Sequence, residues 1–371
     1  MSSSRTDRSG GGLTSHPPPS PVRWRQGKAY PVGLPWDGMC EGQPGSGGPD
    51  YVGRCDTGEE RDILGEKTDD KLISLTEAVR SIQDGDVVGL GGFTLSRTQT
   101  ALAHEIIRQG KKDLTLVSTS VSMQLDLMVA GGCVGRIEHG AASIERFGLI
   151  YNFRRAVERG EVEVEDYTHL GMASRFLAGE MGLPFMPIRG FMGTDLERYR
   201  RSDQKMAVID DPFDPEGSRI VVLPACNPDV AVLHVQKADR RGNVLIEGCT
   251  FHEVQLARAA DRVIVTCEEL VPTEFFLQDP ERTTLPFLHV HAVVLRPWGA
   301  YPTSCYGYYD YDREHIEYYQ SLARDPDQFE QYLDRYVYET DFDDFLAQSL
   351  SFHRAEHLRR SMDSMIYGGE Y

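Results

Sequence analysis

The stretch Asp84-Gly85-Asp86-Val87-Val88-Gly89-Leu90-Gly91-Gly92-Phe93-Thr94 decides the fold of this chain. Val87 to Leu90 is apolar enough to form a buried strand, and Gly91-Gly92 ends it. Residues Thr98 to Gln109 have helical periodicity, and Gly110 closes the helix. Two glycines between a strand and a helix permit positive φ and let a ligand approach backbone N–H groups. The pattern is typical of a small-molecule site in an α/β protein, and equally of a tight turn that binds nothing.

Apolar strands and amphipathic helices alternate along the rest of the chain. The pattern predicts strands at 114–118, 136–139, 219–223, 230–235, 262–266 and 292–295, and helices at 74–83, 124–130, 152–159, 167–181 and 251–260. The first of these helices opens with the capping box Ser74-Leu75-Thr76-Glu77. This alternation predicts an α/β fold with an open, mostly parallel sheet that helices cover.

The two ends of the chain differ in composition from the middle. Runs such as Ser9-Gly10-Gly11-Gly12 cannot build a core and predict a disordered extension over residues 1–62. Aromatic residues at helical spacing after Asp325-Pro326 predict a helical segment over residues 326–371, packed on the main domain or on a partner. The main domain is therefore expected at 63–325.

Charge and cysteine usage exclude several classes of protein. The net charge is −18, and residues 1–62 carry seven basic against eight acidic residues, so the acidity belongs to the rest of the chain. An evenly acidic protein is a poor ligand for nucleic acid or anionic membranes, and no apolar run is long enough for a transmembrane helix. Seven cysteines without a Cys-x-x-Cys motif indicate neither a disulfide framework nor a zinc site, and predict the reducing cytoplasm. His289 and His291 have the spacing of one strand face, but no carboxylate or cysteine lies at ligand spacing, so no metal site is predicted.

Several separated motifs resemble one family. Besides Gly91-Gly92-Phe93-Thr94 and the following helix, the matching motifs are Glu165-Asp166-Tyr167, Gly182-Leu183-Pro184-Phe185, Thr266-Cys267-Glu268-Glu269 and Cys305-Tyr306-Gly307-Tyr308-Tyr309-Asp310-Tyr311-Asp312. Together they are similar to the alpha subunits of family I coenzyme A transferases, above all those of the glutaconate type, over roughly residues 70–325. The resemblance implies that family's open α/β sheet, of the NagB/RpiA-like kind.

The resemblance also implies a function. Enzymes of this family move CoA from an acyl-CoA to a free carboxylic acid in a ping-pong sequence, through a glutamate nucleophile that forms a covalent enzyme–CoA thioester. In the family that glutamate belongs to a Ser-Glu-Asn-Gly element of the beta subunit, and no such string occurs in this sequence. The chain is therefore expected to work in alpha–beta pairs, with no catalytic residue of its own and no permanently bound cofactor, and with a CoA thioester as substrate.

Candidate binding residues fall at two predicted strand ends. The loop Gly91, Gly92, Phe93 and Thr94 is expected at the subunit interface. Ser118, Thr119 and Ser120 follow the next strand, where their hydroxyls either hold a substrate carboxylate or cap a turn. Glutaconate-type subunits are rich in glycine and alanine there, so this departure puts glutaconate itself in doubt as the substrate.

Glu145, in a loop after a strand, either orients the acceptor acid or lies in a surface ion pair. Two further functions stay open. Related subunits act as hydrolases that open a ring of a steroid-derived CoA thioester, and they carry a glutamate where this chain has His169. A non-catalytic subunit that holds its partner in place is the other. A partner subunit with Ser-Glu-Asn-Gly would favour transfer.

Overall fold

The computed structural model describes residues 70–367. The extension predicted at 1–62 lies outside the described residues, as do Cys40 and Cys55. Within the described range, no helix combines the length and the apolar character that a membrane crossing requires.

Strands and helices alternate as the sequence predicts. The strands are β1 (Val87–Leu90), β2 (Leu114–Val121), β3 (Val134–Ala142), β4 (Glu163–Asp166), β5 (Phe185–Ile188), β6 (Ala207–Asp210), β7 (Arg219–Pro224), β8 (Val230–Ala238), β9 (Val244–Leu245), β10 (Arg262–Leu270) and β11 (Ala292–Leu295). The α-helices are α1 (Leu75–Arg80), α2 (Thr100–Arg108), α3 (Met123–Ala130), α4 (Tyr151–Glu158), α5 (His169–Glu180), α6 (Asp195–Ser202), α7 (Glu253–Ala259), α8 (Glu274–Gln278), α9 (Arg313–Ala323), α10 (Pro326–Leu333), α11 (Phe342–Ser349) and α12 (Phe352–Tyr367).

Strand β1 lies in the middle of the larger sheet. The strand order is β11-β10-β8-β1-β2-β3-β4, and every neighbouring pair along it is parallel; β9 adds an antiparallel pairing to β8. Val88 pairs with Leu116 on one side and with Val230 on the other. The chain thus runs outward from β1 through β2, β3 and β4, and returns as β8 on the opposite side. The carboxyl ends of β1 and β8 form the topological switch point, where open α/β sheets bind ligands.

Two apolar layers cover this sheet. Val88 and Leu116 face the layer that holds α2 and α3, whereas Val117 and Leu233 face the layer that holds α5 and α7. Alternate residues of a strand point to opposite faces, so a sheet covered on both sides needs the nearly continuous apolar strands seen here. The predicted open, helix-covered, mostly parallel sheet is confirmed.

Polar strand ends were harder to predict. Strand β2 continues to Val121, so Ser118, Thr119 and Ser120 lie inside it rather than after it. Strand β10 likewise continues to Leu270 and contains Glu268 and Glu269, which the sequence pattern places after the strand. Tertiary hydrogen bonds support these polar strand residues; Ser118 Oγ donates to the Leu90 carbonyl at 3.0 Å. Sequence periodicity does not register such bonds because their partners are distant in the chain.

The segment between α5 and β7 is more ordered than its polar composition predicts. It forms β5, α6 and β6, and β5-β7-β6 make a small antiparallel sheet. Both β5 and β6 have four residues, and most of these are exposed, so neither shows the apolar alternation by which a strand is predicted. His289 and His291 do not lie on a strand; His291 Nδ1 accepts a hydrogen bond from the Val263 N–H at 3.0 Å.

Helices α9 to α12 pack against the α2–α3 layer. Phe329 and Phe345 belong to the same buried cluster as Leu102 and Ile106 of α2. Asp126 of α3 accepts a hydrogen bond from the Tyr319 hydroxyl at 2.7 Å, which ties α3 to α9. This part of the chain therefore completes one face of the main sheet.

His104 makes the packing of α2 on α11 sensitive to acid. Its ring is 1% exposed, lies 4.8 Å from that of Phe345, and has no hydrogen-bond partner among residues 70–367. Burial lowers the pKa of His104 to about 3. An unfolded histidine binds a proton below about pH 6.5. The free energy of unfolding therefore falls as the pH drops from 6.5 towards 3, by up to about 1.4 kcal/mol per pH unit from this residue.

We expect His104→Leu to remove that contribution, because leucine carries no titratable group and suits the apolar site. Urea unfolding between pH 7 and pH 5 should show a shallower loss of stability for the variant than for the native protein. The exposed His353→Leu is the control and should follow the native curve. Parallel curves for native protein and His104→Leu would contradict the assignment.

Candidate active site

The glycine loop follows β1 at the switch point. The Gly91 N–H donates to the Val232 carbonyl of β8 at 3.0 Å, and two hydrogen bonds between Phe93 and Ser96 close the loop. Gly92 has φ +70°, and a Cβ there would lie 2.6 Å from the carbonyl oxygens of Ser96 and Arg97. Both the backbone angle and the lack of space require glycine at this position.

A buried ion pair lies under the loop. Glu253 Oε1 accepts the Gly92 N–H at 2.8 Å, and its Oε2 pairs with Arg97 Nη2. Arg97 also donates to the Cys249 carbonyl at 3.0 Å, and the two charged side chains are 2% exposed or less. Burial raises the pKa of Glu253, which Arg97 and the Gly92 N–H oppose. Sequence reasoning missed this pair, since nothing in the local pattern at either residue connects them.

This pair changes the expected role of the loop. The N–H groups of Gly91, Gly92 and Phe93 all donate to partners inside the protein. They are therefore committed to holding the shape of the loop. What the loop presents outward is the half-buried ring of Phe93.

Aromatic rings form the surface of the loop. Phe93 stacks on Phe251 with 4.7 Å between the ring centroids, and the ring of His169 meets it edge-on at 5.4 Å. The Arg97 guanidinium lies 5.7 Å from the centre of the Phe251 ring. Phe251, Thr94 and Arg97 all have positive φ, a backbone state that costs free energy outside glycine and is common at binding sites.

The three hydroxyls of β2 point to different surroundings. Ser118 is engaged with Leu90 of β1, as described above. Thr119 borders a cavity of ≈ 10 Å³ with Gly91, Gly92 and the ring of His252, room for about one water molecule. Ser120 Oγ is fully buried and has no hydrogen-bond partner within residues 70–367.

Glu145 is brought to the glycine loop. Its Oε1 accepts a hydrogen bond from Thr94 Oγ1, and the Ser122 hydroxyl donates to the Thr94 carbonyl. Glu145 and Thr94 both have positive φ, at +47° and +44°. The structure therefore places Glu145 in contact with the predicted loop, while leaving its carboxylate exposed.

A buried polar cluster lies behind the loop. Glu268 accepts hydrogen bonds from His234 Nε2 at 2.7 Å, from the Tyr309 hydroxyl at 2.5 Å and from the Trp298 N–H at 2.7 Å. Cys305 Sγ lies within 4.8 Å of the His234 and Glu268 ligand atoms, so these three are metal-ligand types in one place. Hydrogen bonds already occupy the carboxylate, and burial raises the pKa of the Cys305 thiol well above its usual range. We interpret the cluster as a hydrogen-bond network.

Comparison with known proteins decides the family. The coenzyme A transferase family model matches residues 72–296. The chain belongs to this family. It is 37% identical over 284 residues to the A-type chain of 3-oxoadipate CoA-transferase from Pseudomonas knackmussii, covering 75% of this chain and 98% of that one. The crystal structure of glutaconate coenzyme A-transferase from Acidaminococcus fermentans matches with a TM-score of 0.74 and 32% identity, covering 78% of this chain and 95% of that one.

Relatives with other names show that the family holds more than one chemistry. The crystal structure of a variant of the decarboxylase AibA/AibB matches at 38% identity with a TM-score of 0.63, over 71% of this chain and 98% of that one. The cholesterol ring-cleaving hydrolase IpdA subunit of Rhodococcus jostii is 28% identical, over 76% of this chain and 97% of that one. Family membership confirms the resemblance seen in the sequence; the reaction has to be argued from the site.

The glycine loop gives a matched pair of variants. Gly92→Ala adds a Cβ that collides with two backbone oxygens, whereas Gly85→Ala, at φ +80°, meets nothing within 4 Å. Both variants carry the strain of an L-residue at positive φ, about 1 kcal/mol. We expect Gly92→Ala to lower the activity of the assembled enzyme at least 100-fold, because a loop shift near 1 Å disrupts substrate positioning. Gly85→Ala should retain activity within a few-fold, and equal activities of the two variants would remove the loop from the site.

Proposed function

We propose that this chain is the alpha subunit of a heteromeric CoA-transferase that moves CoA from an acyl-CoA to a free carboxylic acid. The observation that carries the proposal is the state of the acids at the glycine loop. Glu253 is buried and paired with Arg97, and Glu145 is bonded to Thr94. Neither is a free carboxylate nucleophile, so the nucleophile is expected to come from a partner subunit.

The proposed reaction is a ping-pong sequence. The partner's glutamate attacks the thioester carbonyl carbon, the C–S bond breaks, and CoA leaves as the thiolate, which gives a mixed anhydride. The thiolate then attacks the glutamyl carbonyl and releases the first acid, which leaves an enzyme–CoA thioester. The acceptor carboxylate reverses these steps and departs as the new acyl-CoA. In this scheme the loop Gly91-Gly92-Phe93-Thr94 forms one wall of the site, and Glu145 orients the acceptor through Thr94.

Exposed apolar residues beside the loop support a partner there. Leu170, Leu177 and Met181 of α5 are 60%, 38% and 61% exposed. Leu170 follows His169, whose ring contacts Phe93, so this apolar surface is continuous with the aromatic surface of the loop. Exposed apolar patches next to a site commonly mark a protein interface. We therefore place the partner across α5 and the glycine loop, in alpha–beta pairs.

The hydrolase alternative lacks an acid on this chain. The related hydrolases are expected to use a glutamate where this chain has His169, and His169 is an exposed ring packed on Phe93. The free thiols of Cys133, Cys226, Cys249, Cys267 and Cys305 fit a reducing compartment such as the cytoplasm.

The deciding experiment is a transfer assay on the native complex isolated through this chain. The complex receives a panel of acyl-CoAs with and without free acceptor acids. New acyl-CoA that appears only with acceptor supports transfer. Free CoA, carbon dioxide or a cleaved carbon skeleton formed without acceptor contradicts it and favours hydrolase or decarboxylase chemistry. No turnover under any condition favours a scaffold role for the chain.

Glu145 offers a second test. Glu145→Gln keeps the size of the side chain and removes its charge, so acceptor orientation should weaken while the loop keeps its hydrogen bond from Thr94. We expect kcat/KM for the acceptor acid to fall about tenfold, equivalent to about 1.4 kcal/mol, with little change for the donor acyl-CoA. Glu317→Gln, at an exposed position of α9, is the matched control. Equal losses for donor and acceptor would contradict a role in orienting the acceptor.

A further inference from the structure

A groove lies between α4 and the edge strand β4, at the carboxyl ends of β3 and β4. Its volume is ≈ 420 Å³, within the range of small-molecule sites, about 300–1,000 Å³. Its walls are mostly apolar and include Ala142, Leu149, Phe153, Val157 and Val164. A lining of this kind favours a hydrocarbon ligand.

The polar rim of the groove has no spare positive charge. Arg154 Nε donates to Glu158 Oε1 at 2.8 Å, so its charge is already compensated. The other formal charge on the lining is the carboxylate of Asp166. With His139 neutral, the lining carries a net charge of −1. A ligand carboxylate in this groove would therefore meet repulsion.

His139 is the polar group inside the groove. It is 7% exposed, and neither ring nitrogen has a hydrogen-bond partner in the described part of the chain. The nearest carboxylate oxygen, Asp166 Oδ1, is 3.4 Å from Nε2. Phe153 meets the ring edge-on at 6.0 Å and fixes its orientation. Buried polar groups normally find a partner, so this imidazole is available to a ligand.

The groove is continuous with the glycine loop. Leu149 comes directly after the short turn Glu145–Phe147, and Glu145 is bonded to Thr94 of the loop. On the other face of β3, Gly140 follows His139 and packs against His169, whose ring contacts Phe93. A ligand that starts at the loop can therefore extend into the groove.

We propose that this groove binds the acyl part of the CoA thioester, and that the acyl part is an apolar chain with one oxo or hydroxyl group that hydrogen-bonds to His139. The inference rests on the proposed transferase function and names its substrate class. It distinguishes this chain from relatives named for glutaconate and 3-oxoadipate, which are dicarboxylic acids. A second carboxylate has no cation to meet in this groove.

The test compares hexanoyl-CoA with adipyl-CoA as donors for the native complex. The two acyl groups have the same number of carbon atoms, and adipyl ends in a second carboxylate. We expect kcat/KM for hexanoyl-CoA to be at least tenfold higher, and 3-oxohexanoyl-CoA to exceed hexanoyl-CoA. Transfer from adipyl-CoA at an equal or higher rate would overturn the inference and leave the transferase function standing. Transfer from no acyl-CoA would overturn both.

Two variants tie the preference to the groove. Val157→Asp adds a charge to its wall at a position that is 37% exposed, and Leu177→Asp adds the same charge on α5 at 38% exposure. Val157→Asp should lower kcat/KM for hexanoyl-CoA at least tenfold and leave acetyl-CoA unchanged. Leu177→Asp should leave the ratio of hexanoyl-CoA to acetyl-CoA at the native value. An unchanged ratio in Val157→Asp, or loss of the partner subunit from that variant, would assign the groove to another use and overturn the inference.

His139→Phe tests the polar contact. Phenylalanine keeps an aromatic ring against Phe153 and removes both nitrogens. We expect the advantage of 3-oxohexanoyl-CoA over hexanoyl-CoA to disappear, with hexanoyl-CoA transferred as before or faster. A retained advantage would show that the oxo group binds elsewhere. Circular dichroism and co-purification with the partner confirm that the variant folds and assembles.

Discussion

The structure of the site depends on one buried carboxylate. Glu253 holds the Gly92 N–H with one oxygen and Arg97 with the other, below a loop with several residues at positive φ. Removing one partner of such a pair leaves an uncompensated charge in the core, at a cost of about 3–5 kcal/mol. The pair therefore fixes the loop in one conformation. Phe93, Thr94 and, through Thr94, Glu145 take their positions from it.

The fold was predictable where its signals are local. The capping box of Ser74 and Glu77 forms as the sequence indicates, and β1, the paired glycines and the following helix occur in the predicted order. These signals lie within a few residues of one another. Strands β5 and β6 were missed because each is short and largely exposed, so neither carries an apolar pattern.

The site was predictable only in part. The glycines mark the loop because only glycine fits there, and that requirement is visible in the sequence. Glu253 and Arg97 are 156 residues apart, and a carboxylate at the start of a helix looks like an ordinary charge complement to the helix dipole. The groove at His139 was also missed, since its residues come from β3, α4 and β4 and share no motif. Contacts of this range arise from topology, which periodicity does not encode.

The central position of β1 has a consequence for biosynthesis. Its two neighbours, β2 and β8, come from distant parts of the chain, and the carboxylate that holds the loop is 161 residues beyond Gly92. At translation rates of about 5–20 residues per second, the ribosome needs roughly 8–30 seconds to add that length. During this interval the apolar edge of β1 that later pairs with β8 has no native neighbour. The nascent chain thus exposes an unpaired parallel edge, the kind of surface that chaperones shield, until the second half of the sheet emerges.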